Sequence, residues 1–231
     1  MINDSDWQAI YLTLKLATFS SIILMIISLP LAYWLAFGRS KLKPIVSALV
    51  ALPLVLPPSV LGFYLLLLMS GDHAVSKSLA VLGIYPFSFS GLILGSVVFS
   101  LPFVVQPLLA SFLSISSSTL AVAATLGASR WDRFCSIILP QSKAGIVAAM
   151  TLGFAHTIGE FGVVLMIGGN IPGETKVLSV QIYELVETLN YSRAGNLAGG
   201  LLIFSFVILW LTYRSFKVDN FVVMKQRESD R

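Results

Sequence analysis

Apolar residues gather into five long blocks, at about 10–37, 45–69, 91–113, 144–167 and 197–213, and charged residues fall almost wholly between them. A hydrocarbon core of about 30 Å takes roughly 20 apolar residues as an α-helix, so each block reads as a membrane span. The pattern predicts an all-α polytopic chain, a single transmembrane domain over 1–231 with five transmembrane helices. The first block is expected to remain as a span. Asp4 and Asp6 stand where a signal peptide carries cations, and the apolar run is too long for a cleaved leader.

Basic residues orient these blocks. Arg39, Lys41 and Lys43 follow the first span, Arg130, Arg133 and Lys143 lie between the third and fourth, and Arg214, Lys217, Lys225, Arg227 and Arg231 follow the fifth. Cytoplasmic loops carry the excess of Lys and Arg, so these connections face inward, with the N-terminus out and the C-terminus in. The connections around 71–90 and 169–193 carry few cations and face outward. The tail after Arg214 is too short to fold as a regulatory domain.

Within the spans, Pro30, Pro53, Pro57, Pro58, Pro102 and Pro107 interrupt the apolar pattern, with Gly62, Gly95, Gly153, Gly159 and Gly162. Proline removes a backbone donor, which lipid tolerates only where neighbouring helices or a wet cavity satisfy the freed carbonyl. Three prolines between positions 53 and 58 predict a helix broken at membrane depth, the device transporters use where substrates pass. Glu160 is the only acid inside a span, and a buried ionisable group there is a functional candidate by its cost alone. His156 shares its helix face, four residues earlier. Counted from Ala144 at about 1.5 Å per residue, Glu160 lies roughly 24 Å along its helix, towards the outer side. Lys15 enters its span from that side, so the two either pair or reach the outer interface separately. Pro57, Pro58, Ser59, Glu160, Phe161 and Gly162 are the residues expected to line or gate a path.

Two segments fit neither span nor simple loop. In 171–189, Leu178, Ile182, Leu185, Val186 and Leu189 recur at helical spacing, with Gln181, Glu184 and Thr188 on another face. This amphipathic helix either rests on the spans or receives a soluble partner. In the inward connection 114–143, Ser116, Ser117 and Ser118 can cap a helix over the Ala-rich run 120–126 that Gly127 ends. Arg130 and Arg133 flank Trp131 and Phe134 as at a membrane interface, and Pro140 suits the start of the next helix. A capped helix of small residues off the membrane offers a surface on which another chain can dock closely.

Composition agrees with this class: of 231 residues 56% are hydrophobic and 11% charged, and mean hydropathy is +0.88. The net charge of +4 is spread in small clusters beside the spans, which excludes nucleic acid as a partner and leaves membrane lipid. Cys135 is the single cysteine, so no internal disulfide forms and no metal or cofactor site is expected. His156 and Glu160 do not make an HExxH zinc face, no phosphate-binding loop is present, and no serine sits in a GxSxG turn. No catalytic residues are expected, and the chain cannot hydrolyse ATP alone. A transport role remains, against a secondary transporter or channel that needs no ATP and a scaffold without a pore.

The segment 120–140 resembles the cytoplasmic loop of the permease subunits of ABC importers, which runs Glu-Ala-Ala, three residues, Gly, nine residues, Ile, one residue, Leu-Pro. Here Ala121, Val122 and Ala123, then Gly127, then Ile137, Leu139 and Pro140 keep every spacing, with Ala121 in place of the usual Glu. The stretches 52–66 and 158–175 are similar to those of the molybdate, tungstate and sulfate permeases, and the short plan with Gly169 to Gly173 resembles the molybdate group most closely. The resemblance implies a type I ABC importer permease fold, a homodimer in the bacterial inner membrane, two copies of a separate ATP-binding subunit docked on the loop, and a periplasmic molybdate-binding protein. Alternating access would carry the oxyanion through, with specificity held mainly in the binding protein.

Overall fold

The structure is a computed structural model that describes residues 3–229, with side chains through Arg214, so the tail cations beyond Arg214 lie outside what it describes. All regular structure among these residues is helical. Twelve helices follow in order: α1 (Asp4–Phe37), α2 (Lys43–Ala51), α3 (Pro58–Ser70), α4 (Ala74–Val81), α5 (Phe89–Leu113), α6 (Ser117–Thr125), α7 (Arg130–Arg133), α8 (Leu139–Gln141), α9 (Lys143–Gly159), α10 (Gly162–Gly168), α11 (Leu178–Glu187) and α12 (Tyr191–Ser229).

Three of them, α1, α5 and α12, are long and apolar enough to cross a bilayer unaided. The second predicted span is two half-helices, Lys43–Leu54 and Pro58–Ser70, set at 112° to one another. Its cause is the local sequence. A single 3₁₀ turn at Leu52–Leu54 carries Pro53, and Pro57, at ψ 135°, points the chain away before Pro58 opens α3. The fourth predicted span is also discontinuous. Helix α9 stops at Gly159, Glu160 is extended at φ −68° and ψ 131°, and α10 restarts at Gly162. Pro30, Pro102 and Pro107, by contrast, sit inside continuous helices.

The core lies where α1, α5 and α9 meet, around Leu24, Leu35, Val104, Leu108, Phe112 and Ala149. Lipid is as apolar as these side chains, so close packing rather than expulsion of water holds such helices together. Small residues make that approach possible. A Cβ added at Gly153 would stand 2.5 Å from Val104 Cγ2, and Ser20, Ser28, Ser96 and Ser100 are buried along the same seams.

On the outer side, α11 packs on α1, α9 and α12. Leu178 and Leu185 are buried as the periodicity predicts, but Val186 and Leu189 are exposed and Gln181 is buried. Gln181 is drawn inward by a polar tie: its Nε2 donates to Asp6 Oδ1 at 3.2 Å, and Arg193 Nη2 donates to both Asp6 oxygens at 2.8 and 2.9 Å. The outward connection at 71–90, read as a loop, holds the short helix α4.

Candidate functional site

The inward segment is built from two well-formed caps. Helix α6 ends in a left-handed Gly127 at φ +86°, where Ala128 N–H donates to Ala123 O at 3.0 Å and Gly127 N–H to Ala124 O at 3.1 Å. This paired closure needs a residue without a Cβ at that position. Ser129 and Asp132 then cap one another reciprocally, the Ser129 N–H to Asp132 Oδ2 at 3.0 Å and the Asp132 N–H to Ser129 Oγ at 3.1 Å, and start α7. The chain passes through a π turn at Phe134–Ile138 into α8, and turns by 71° into α9.

No residue of α6 is buried. Ala121 and Val122 are exposed, Val122 by 58% and the following Leu126 by 82%. This open apolar helix face, closed at its C-terminal end by Gly127, lies outside the core. Ile137, Leu139 and Pro140 do not join it: they form the elbow into α9, where Ile138 is buried in the core and Trp131 packs on Phe134 at 5.7 Å between ring centres.

At membrane depth, the two broken spans meet. A Cβ at Gly162 would lie 2.7 Å from Pro58 Cβ, and one at Gly62 would lie 2.8 Å from Met166 Cβ. Positions 58 and 162, then 62 and 166, are thus in register, so α3 and α10 run side by side in the same direction. Beside this junction is a cavity of about 520 Å³ whose lining includes Pro58, Ser59, Phe99, His156, Glu160 and Gly162. Phe161 also reaches it, whereas Pro57 shapes the turn without lining the cavity.

Glu160 is 3% exposed and its carboxyl oxygens make no hydrogen bond among the described residues. The Ser96 hydroxyl faces the carboxyl but is outside hydrogen-bond geometry. The main-chain oxygen freed by the break is better served, accepting from Ser179 Oγ of α11 at 2.6 Å. His156 shares the cavity with Glu160, but the predicted common helix face stops short of the acid, which lies just past the end of α9. Its Nδ1 lies 2.8 Å from Ser100 Oγ and its ring stacks on Phe103 at 3.8 Å. Lys15 does not reach Glu160: its Nζ stands 4.5 Å over the Phe89 ring. The two residues therefore do not pair, but Glu160 is buried instead of reaching an interface, and Lys15 makes a cation–π contact that sequence spacing does not reveal. Phe99, Ser100 and Ser179 were also missed, since a lone serine or phenylalanine in an apolar run carries no signal of its own.

An exposed helix between the spans, joined by an elbow to a discontinuous span, is the arrangement these residues build. The chain belongs to the family described as binding-protein-dependent transport system inner membrane component, which matches residues 28–216. It is 49% identical over 216 residues to the molybdenum transport system permease protein ModB of Azotobacter vinelandii, covering 93% of this chain and 96% of that one. It is 33% identical to ModB of Escherichia coli K12, over 81% and 83% of the two chains, and 32% identical to the sulfate transport system permease protein CysT of the same organism, over 86% and 72%. Among solved structures, an alginate ABC transporter in complex with its periplasmic protein superposes with a TM-score of 0.75 at 20% identity, over 91% and 77% of the two chains. The inward-facing MetNI methionine ABC transporter gives 0.73 at 19%, over 91% and 94%. At those identities the likeness is one of fold, that of type I ABC importer permeases.

Proposed function

We propose that this chain is the membrane-spanning subunit of an ATP-driven molybdate importer in the bacterial inner membrane. It works as a homodimer with two copies of a separate ATP-binding subunit and a periplasmic molybdate-binding protein. The observation that carries this reading is the 49% identity to a ModB protein over nearly the full length of both chains. The open face of α6, with Ala121, Val122 and Ala123, and the Gly127 closure support docking of the ATPase there. Ala121 stands where the permease loop usually has Glu, so shape rather than charge dominates the contact.

In this mechanism the ATPase subunits close on ATP and draw the two docking helices together. The elbow at 134–142 passes that motion to α9, and the breaks at Pro57–Pro58 and Glu160–Phe161 let the half-helices rearrange around the path. Among the described residues the span interiors hold no dense cationic site, which favours release of a dianion that a tight site would retain. Glu160 repels an anion while ionised, so its role is to hold or gate the helices rather than to bind the cargo.

Reconstituted with the ATPase and the binding protein, the chain should take up molybdate only with ATP. Uptake that persists without the ATPase would overturn the reading in favour of a channel or secondary transporter. Titration of the binding protein with molybdate, tungstate and sulfate separates the three cargoes.

A further inference from the structure

Where α1 ends on the inner side, a second pocket of about 490 Å³ opens between the α1 terminus and the base of α6. Three arginines line it, Arg39, Arg130 and Arg133, with Tyr33, Trp34 and Leu120 among the remaining wall. Among the described residues no acid lines the pocket. The nearest in sequence, Asp132, is engaged by Ser129 in the cap of α7. Among the described residues, the side chains of Arg39 and Arg130 make no hydrogen bond or ion pair, and that of Arg133 makes only long contacts, Nε to Ser129 O at 3.4 Å and Nη1 to Leu120 O at 3.5 Å. Three like charges sharing one pocket repel one another and call for an anion.

We propose that this pocket binds the phosphate of an anionic phospholipid headgroup from the cytoplasmic leaflet. Guanidinium groups match phosphate oxygens in fork geometry, which suits a phosphodiester better than a monatomic ion. The aromatic and aliphatic wall fits the glycerol and first acyl carbons, and Tyr33 and Trp34 are the residue types that favour the headgroup level. The depth also fits, since positive-inside orientation puts the α1 terminus at the inner surface, where negatively charged lipids gather. Because the wall is shared by Trp34 and Arg39 at the α1 end and by Leu120, Arg130 and Arg133 around α6, a bound headgroup would brace the docking helix against the membrane. This goes beyond the transport reading and does not depend on the cargo.

Native mass spectrometry of the full chain, purified alone and with its ATPase from nanodiscs, tests it. Phosphatidylglycerol should be retained over phosphatidylcholine, and R39Q and R130Q should each lower that retention roughly tenfold, the loss of one charge-assisted bond pair. Both positions are exposed, and an unchanged yield of the complex shows that each variant folds. Equal retention of the two lipids, or retention unaffected by either variant, overturns the proposal. So does displacement of the lipid by excess inorganic phosphate, which would identify a small-anion site. Loss of lipid from wild type whenever the ATPase is bound also overturns it, because the arginines would then serve an acidic surface of that subunit.

Discussion

Gly127 is the residue on which the docking surface most depends. A Cβ there meets no neighbour, so the penalty of substitution lies in the backbone, held at φ +86°. A β-branched residue is strained in that region by about 1–2 kcal/mol, enough to unwind the last turn of an exposed helix. Gly127→Val should therefore lower molybdate taken up per ATP hydrolysed severalfold in proteoliposomes, while Ala121→Glu should change that ratio little. Gly162 presents the opposite case, with ordinary helical surroundings but no space. Gly162→Ala forces its methyl against Pro58 and should destabilise the chain by about 1–3 kcal/mol, read as a lower melting temperature in detergent. The first of these residues was legible, because a glycine after an Ala-rich run is a known stop. The crowding at Gly162 was not, because it is set by a neighbour more than a hundred positions away.

Helix α11 shows how far periodicity carries at the level of elements. Its apolar stripe predicted an amphipathic helix, and that helix is present, but the stripe could not identify Gln181 as an inward residue. The reason is that its partners, Asp6 and Arg193, come from the start of α1 and of α12, and polar ties between distant segments leave no local pattern. Removing one partner of a buried ion pair leaves the other uncompensated. Arg193 is a quarter exposed, so Asp6→Asn should cost about 2–3 kcal/mol rather than the full value for a buried pair, measurable by thermal unfolding. Just before α11, hydrogen bonds from Lys176 at 2.5 Å and from Asn170 at 3.0 Å hold the Glu184 carboxyl below the usual carboxylate range. A folded value below the unfolded one stabilises fully above the unfolded value, near pH 4.3, and is lost as pH falls through the folded value. Amide protection factors in 170–177, taken against intrinsic exchange at each pH, should accordingly fall below about pH 4. Lys176→Met should flatten that dependence. The breaks in the second and fourth spans divide in the same manner: clustered prolines announced the first, whereas the second falls at Gly159 to Gly162, residues singled out in the sequence without a break being expected there.

For the whole molecule, the proposed assembly predicts a mass corresponding to two copies of this chain and two of the ATPase in native mass spectrometry, and a 1:1 complex would refute the homodimer. Large apolar side chains such as Phe63, Tyr64, Leu202 and Phe206 lie open along α3 and α12, surface that lipid or a second copy covers. The break at Pro53 to Pro58 was legible in the sequence, but that it adjoins a second break at Glu160 was not. Their adjacency has a mechanical outcome. Helices α3 and α10, locked in register by glycine at 162 and 62 and each severed from its preceding helix at the same level, form a two-helix blade hinged at one end. A displacement of one half-helix therefore has to carry the other, because the contacts at Gly162 and Gly62 leave no room for sliding. The Ser179 hydroxyl, donating to Glu160 O, ties α11 to that same junction.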